Sequence, residues 1–513
     1  MTREQQLSAL ADREPLDLVV VGGGATGLGV ALDAALRGYS VALFESHDFA
    51  SGTSSRATKL LHGGVRYLAQ GNVALVREAL AERSTVMAIA PHLAQPLPFV
   101  MPSHHWWQTP FYGAGLKLYD LLAGRAGLGA TEFLSRAETL SALPGVNPQG
   151  LKGGVRYWDG QFDDARLAIA LARSAQAQGA QVFNYVRVEA IGPDGDGHVL
   201  SLHDALSGGE HSVRARCVVN ATGVWVDALR EAAGTPSHMV SPSQGVHAVV
   251  DREFLGGEHA LLVPRTRDGR VLFAVPWLGK LILGTTDTPS PTLAREPVPF
   301  EHELALILDE ASRALSRPVR RTDLRSVWVG LRPLVAPPRE AGDATQRLSR
   351  EHTVVVDPTG LVTVTGGKWT TYRAMAEDVL QRCVAAGRLA PRAGGQSAQH
   401  RLVGAPLRAT VPMHAPPGWH LYGAEADRVR ALPGAEQRLG LGLCAAMVRF
   451  AVRCEYAHTV EDVLARRWRA LFLDARLAAG MAGAVAALLR EEGVAEPRTD
   501  DFLALAERYA TGL

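Results

Sequence analysis

Residues 17–29 read DLVVVGGGATGLG: an apolar run stops at glycines and gives way to helical spacing. This stretch limits the fold more sharply than any other. A run apolar on both faces is a buried parallel strand. Gly22, Gly24 and Gly27 follow with G-x-G-x-x-G spacing. The first glycine permits a tight turn, the second lets backbone approach a pyrophosphate, and the third lets helix pack on strand. Helical spacing then continues to a closing Gly38, and SVALFE (40–45) is a second strand. Strand, helix and strand within residues 17–45 open a doubly wound α/β sheet.

The turn also sets the ligand chemistry. Phosphates would sit at the positive end of the helix. Glu45, ending the second strand, places a carboxylate where ribose hydroxyls donate and a 2′-phosphate is repelled, which favours FAD or NAD over NADP. Two remote stretches narrow the choice. CVVNATGVW (217–225) is a buried strand ending in small residues, and LVTVTGGKWTTYR (361–373) is a strand, a Gly-Gly turn and a helix start. Each alone could be an ordinary strand–helix turn. Together they suit FAD, whose ring lies far from its adenine and needs distant segments in one cleft. A helix N-terminus at the flavin would stabilise its reduced anion.

Length and composition bound the rest. At 513 residues the chain holds two or three domains, and a net charge of +1 argues against nucleic-acid binding through bulk charge. Cys217, Cys383, Cys444 and Cys454 form neither CxxC pairs nor metal-ligand spacings, so no metal is expected and a reducing, cytoplasmic setting is. The polar start lacks a signal core, and no apolar run is long enough to span a bilayer. Residues 72–90 and 163–179 read as helices, and Pro91, Pro96, Pro98 and Pro102 read as breakers. Residues 180–191 read as one strand, with further strands at 198–203, 212–220, 245–250, 271–275, 281–285 and 361–365. Residues 386–418, rich in Pro, Gly and Arg, read as a linker, and from 421 onward the chain reads as helical without strands.

The order GGGATGLG, GTSSRATKLLHGGVRYL, VNATGVW, GTTDT, GLRPL and TGGKWTTYR resembles the FAD-dependent, quinone-linked glycerol-3-phosphate dehydrogenases across nearly the whole chain. LYGAEADRV and VEDVLARRWRALFLDA are similar to that family's helical tail. The resemblance implies a glutathione-reductase-like FAD-binding domain (1–90, 150–235 and 345–385), an antiparallel-sheet substrate domain (91–149 and 236–344) and an all-α C-terminal domain (419–513). It also implies a substrate, sn-glycerol 3-phosphate. For FAD the expected contacts are Gly22, Gly24, Gly27, Glu45, Thr53, Ser54, Lys59, His62, Gly63, Gly64, Val186, Ala221, Thr222, Gly223, Gly366, Gly367, Lys368 and Thr370.

Oxidising a C2 alcohol requires an anchor for the phosphate, a hydride acceptor and a base. The family turns Arg66 and Tyr67 towards substrate, Arg332 lies before a restraining proline, and Lys368 lies at the ring. An arginine fork binds two phosphate oxygens. His247 is the favoured base, with His62 the alternative base or a flavin-edge donor. Thr286 is a candidate substrate contact, and Asp287 reads equally as a turn-former. A quinone acceptor implies peripheral docking on anionic lipid at the inner face of the cell membrane. Residues 104–119, with Trp106, Trp107, Phe111, Tyr112, Lys117 and Tyr119, and residues 466–490, opening with Arg466, Arg467, Trp468 and Arg469, are the two candidate surfaces, although such aromatic-rich stretches are more often core. A homodimer stays open. The competing functions are an oxygen-using glycerol-3-phosphate oxidase and a non-catalytic flavin-binding module. Only 33 residues, Val335–Gly367, separate GLRPL from Lys368, where such oxidases carry a long insertion.

Overall fold

The structure, a computed structural model, describes residues 3–11, 13–64, 72–267, 269–335 and 351–512. Two sheets organise these residues. Five strands of the first run parallel in the order Val362–Gly366, Glu210–Asn220, Leu16–Val21, Val41–Phe44, Gln181–Phe183. Val19 and Val20 are wholly buried, as a strand covered on both faces requires. On one side lie the helices Ala25–Leu36, Asp164–Ala177 and Tyr372–Ala385. On the other, Leu200 and Leu202 come from the antiparallel strands that follow Val186. Register sets Val21 beside Asn220 and Asn220 beside Thr363, so the turns after three strands open at one edge.

The second sheet is mainly antiparallel. Its spine, Val240–Asp251, pairs with Ser326–Val335 on one side and Lys280–Gly284 on the other. His247 is therefore flanked by Gly284 and Trp328. Helix Glu301–Ala314 covers one face. The C-terminal helices share a core with the other, around Trp277, Trp328 and Trp468, each at most 1% exposed.

Five expectations change here. The prolines do not break the chain after 91: Ala94–Ser103 is a ten-residue strand. Pro96, Pro98 and Pro102 share one parity, which puts their missing donors on one edge, where the next strand pairs only Phe99 and Val100. Its partner Gly153–Phe162 belongs to the second sheet, as does Leu60–Leu61, so the 150–235 and 1–90 segments are not purely cofactor-domain. Residues 180–191 split into Gln181–Phe183 and Val186–Asp194 because Tyr185 turns at φ 58°. The helical tail holds a short ladder, Arg438–Gly440 with Leu443–Cys444. Residues 386–418 are strapped to the second sheet: Leu278 N–H donates to Met413 O at 3.0 Å, and the Gln95 amide bonds Val411 O and Met413 N at 3.0 Å each.

The second proposed lipid surface is also corrected. Trp468 is core, and Arg466, Arg467 and Arg469 are almost wholly buried. Arg466 and Arg467 both hold Asp48, and Arg466 also donates to Asp462 at 2.8 Å. Arg469 is ion-paired with Asp164 at 3.2 Å and donates to Ser55 O at 2.7 Å. Buried charges persist when paired, and these pairs tie the helical domain to the cofactor domain.

Candidate active site

Three turns converge on the edge of the first sheet. A Cβ on Gly22 (φ 111°) would lie 2.6 Å from Ala221 O, and one on Gly27 would lie 1.9 Å from Gly22 O. Both glycines are thus fixed by the protein's own packing. Gly24 differs: its φ is −83°, and an added Cβ would meet only Ser54 Oγ, at 3.1 Å. The space above Gly24 is a cradle whose emptiness suits an approaching pyrophosphate. Ser54 Oγ accepts from Ala25 N at 2.9 Å at the start of the helix, and Ser54 O accepts from Trp369 Nε1 at 2.8 Å. Thr365 Oγ1 donates to Gly223 O at 3.3 Å. Asn220 shapes the Ala221–Gly223 turn, accepting from Thr222 Oγ1 at 2.7 Å and donating to Val226 O at 2.9 Å. Asn220 and Trp369 were not singled out from sequence. A polar residue closing a buried strand is the signal that marks Asn220.

Glu45 follows the strand Val41–Phe44 and sits against the glycine turn. Its oxygens already accept from Gly23 N at 2.7 Å and His47 N at 2.9 Å, so a ribose would share a carboxylate that also fixes the turn. Burial pushes this carboxyl above its ordinary range, against the pull of those two N–H groups. Val186 N donates to Glu45 O at 2.8 Å, which puts Val186 at the same end of the cleft. Thr53 Oγ1 donates to Leu331 O at 2.6 Å, tying this segment to GLRPL. Gly63 N donates to Tyr119 OH at 2.9 Å, and Tyr119 donates to the buried Asp159 at 3.1 Å, so the loop with His62 and Gly64 has a rigid floor. Gly366 and Gly367 both take positive φ, and Lys368 then opens the Trp369–Thr371 turn in which Thr370 is buried.

The Lys59 side chain turns away from this cleft. Its ammonium is wholly buried, donating to Asp164 at 2.7 Å and Ser55 O at 2.7 Å. Burial, opposed by Asp164, pushes it down to about 7. The unfolded chain therefore binds the extra proton above that value, so stability rises with pH from about 7 to the ordinary lysine range. Chemical denaturation at stepped pH should show this rise in the wild type and not in Lys59→Met.

The candidate substrate residues His247, Thr286 and Arg332 lie on or beside the second sheet. His247 is 2% exposed, stacks on Trp328 with centroids 5.3 Å apart, and has Nε2 2.9 Å from Thr58 Oγ1. Burial first, then the charges of Lys59 and Arg332, hold it well below the usual histidine range, so it is neutral at pH 7. The half-buried Arg332 donates to Thr286 O at 2.9 Å, Gln244 O at 3.2 Å, Thr285 Oγ1 at 3.3 Å and Asp287 at 3.3 Å. Asp287 is thus the partner of Arg332 and also accepts from Ser243 Oγ. The Thr286 hydroxyl faces inward, donating to the buried Glu303 at 2.9 Å, so Thr285 and not Thr286 offers its hydroxyl beside Arg332. Arg66 and Tyr67 lie outside the described residues.

Comparison with known proteins places this arrangement. Residues 17–382 match the family model "FAD dependent oxidoreductase", and residues 369–496 match "C-terminal domain of alpha-glycerophosphate oxidase". The chain is 40% identical over 508 residues to a probable mitochondrial glycerol-3-phosphate dehydrogenase of Caenorhabditis elegans, covering 92% of this chain and 70% of that one. It is 38% identical over 536 residues to a mitochondrial glycerol-3-phosphate dehydrogenase of Arabidopsis thaliana, covering 96% and 85%. Among solved structures, the glycerol-3-phosphate dehydrogenase of Bacillus halodurans complexed with FAD superposes with a TM-score of 0.77 at 28% identity, covering 99% of this chain and 97% of that one. The cradle at Gly24, the carboxylate of Glu45 and the three convergent turns fit that cofactor, and the chain belongs to the family of FAD-dependent glycerol-3-phosphate dehydrogenases.

Proposed function

We propose that this enzyme oxidises the C2 alcohol of sn-glycerol 3-phosphate to dihydroxyacetone phosphate and passes the electrons to a membrane quinone. The observation that carries the reading is a neutral buried imidazole, His247, near an anchored guanidinium, Arg332, on adjoining strands. Arg332 gives the phosphate a fixed positive charge. Arg66, Tyr67 and Lys368 complete the anchor. His247 takes the hydroxyl proton, being unprotonated at working pH. Bound FAD supplies the hydride acceptor.

Each charge-assisted bond to phosphate is worth about 1.5–3 kcal/mol. Arg332→Ala should therefore lower kcat/KM on glycerol 3-phosphate by roughly 10–100-fold with flavin content unchanged. Steady-state kinetics on glycerol beside glycerol 3-phosphate checks this. Equal losses on both would show that Arg332 does not read phosphate.

The quinone reading draws on helix Gln108–Ala123 and the residues before it. Trp106 is 83%, Phe111 67% and Leu121 76% exposed, with Lys117 lying 5.0 Å over the ring of the exposed Phe133. Tyr119 instead faces the core. An apolar patch with a lysine at its edge suits the headgroup layer, on the inner face of the cell membrane. Among the described residues no helix is long and apolar enough to cross a membrane. Flotation should show binding to anionic vesicles at low salt and release at high salt, lost in Trp106→Ser/Phe111→Ser. A protein that stays in solution throughout, and whose substrate loss equals peroxide release, would be the oxidase instead.

A further inference from the structure

Within this reading of His247 as the base, the neighbouring hydroxyl has a role that the sequence did not suggest. Among the described residues the ring makes one hydrogen bond, between Nε2 and Thr58 Oγ1 at 2.9 Å. Nδ1 is buried and has no partner there. A neutral imidazole carries a single N–H. A buried N–H without an acceptor is rarer than an acceptor without a donor, so the proton belongs on Nε2 and the lone pair on Nδ1. Packing fixes the ring independently. Trp328 stacks on it at 15°, and the facing strand offers Gly284, where a Cβ would come within 2.6 Å of His247 Cδ2. Ring orientation is therefore set by Trp328 and Gly284, which leaves Thr58 to decide which nitrogen is basic.

We propose that Thr58 is the positioning residue of the base: its hydroxyl accepts Nε2–H and reserves Nδ1 for the proton of the substrate C2 hydroxyl. The step balances simply. The hydroxyl proton goes to Nδ1, the C2 hydrogen leaves with its bonding electron pair as hydride to the cofactor, and the C–O bond becomes a carbonyl. Thr58 gains and loses nothing, since the imidazolium still donates to it through Nε2.

The charged neighbours explain the use of a hydroxyl. Lys59, which follows Thr58 and is paired with Asp164, and Arg332, backed by Asp287 on the adjoining strands, are the charges that act on the ring. Among the described residues neither carboxylate hydrogen-bonds the ring; each is paired with its cation. A carboxylate in Thr58's place would hold the imidazolium, whereas a neutral acceptor selects the tautomer and lets the proton pass on.

The test uses FAD-loaded enzyme mixed anaerobically with glycerol 3-phosphate across pH, comparing wild type, Thr58→Val, Thr58→Ser, His247→Gln and the double variant. Thr58→Val removes the hydroxyl at nearly constant shape. It should slow flavin reduction by at least about tenfold, displace the acid limb and leave substrate affinity near wild type. Thr58→Ser should recover most of the rate. The double variant should be no slower than His247→Gln alone, because one function is removed once. Nitrogen-15 spectra of labelled histidine in the loaded enzyme should show His247 with its proton on Nε2 in wild type and Thr58→Ser, and altered in Thr58→Val. Thr58→Val at full rate with an unmoved limb, or losses that multiply in the double variant, would overturn the proposal while leaving His247 as base. Should Thr58→Val not fold, a proton found on Nδ1 in wild type, or a Thr58→Ser variant as slow as His247→Gln, would overturn it. A His247→Gln enzyme at wild-type rate would remove the base assignment itself.

Discussion

A Gly24→Val variant is expected to fold, to retain its helical content and to purify without flavin. The reasoning turns on the contrast among the three glycines of the turn. At Gly22 and Gly27 any side chain collides with backbone, so their replacement would damage the protein itself. At Gly24 the protein leaves room, with only Ser54 Oγ nearby at 3.1 Å. A valine Cβ meets only this hydroxyl, which can shift, and the side chain would occupy the place of the pyrophosphate. It will also disturb the bond from Ala25 N to Ser54 Oγ, and loss of such a helix-start contact costs roughly 0.5–2 kcal/mol. Ser54→Ala separates the two effects, since it removes the contact without filling the cradle. The ratio of flavin to protein absorbance, read beside circular dichroism, should fall to the baseline in Gly24→Val and stay substantial in Ser54→Ala. A Gly24→Val protein with full flavin would contradict the cofactor assignment.

The largest expected effect on stability lies far from the chemistry. Asp48 has a fully buried side chain, held by Arg466 and Arg467 and accepting from Asn184 Nδ2 at 3.0 Å. The two guanidiniums hold its carboxyl well below the usual carboxylate range, so its contribution is complete at neutral pH and is withdrawn progressively as pH falls from that range towards the depressed value. Asp48→Ala leaves two buried cations without their shared anion. Removing one partner of a buried pair costs about 3–5 kcal/mol, and here the loss falls on the seam between the cofactor domain and the C-terminal helices. Denaturant melts should show that loss, with Asp48→Asn intermediate because it can still accept hydrogen bonds. A change below about 1 kcal/mol, the range of exposed pairs, would show that the seam does not depend on this cluster.

That cluster also shows where the sequence stops being legible. ARRWRA looks the same whether it meets lipid or a buried carboxylate, and the partner Asp48 lies 418 residues from Arg466. Nothing local announces a contact of that separation. The opening unit is the opposite case. Strand, glycine turn and helix are coded within residues 17–36, and the structure follows them almost residue for residue. The prolines of Ala94–Ser103 misled because their effect depends on which edge of a strand lacks a neighbour, which is a tertiary fact. Of the substrate face, His247 and Arg332 were found through the resemblance and not through any spacing. Thr58 and Thr285 were passed over because a threonine at a strand end carries no pattern. They emerge only when the second sheet sets Gly284, His247 and Trp328 side by side.

The central claim is that glycerol 3-phosphate reduces the bound flavin. Anaerobic titration of the FAD-loaded protein with glycerol 3-phosphate tests it directly, following flavin absorbance and assaying the product. The account predicts that the oxidised flavin band bleaches to completion, with dihydroxyacetone phosphate formed in equal amount, and that added quinone restores the band. A flavin that stays oxidised at saturating glycerol 3-phosphate would contradict it.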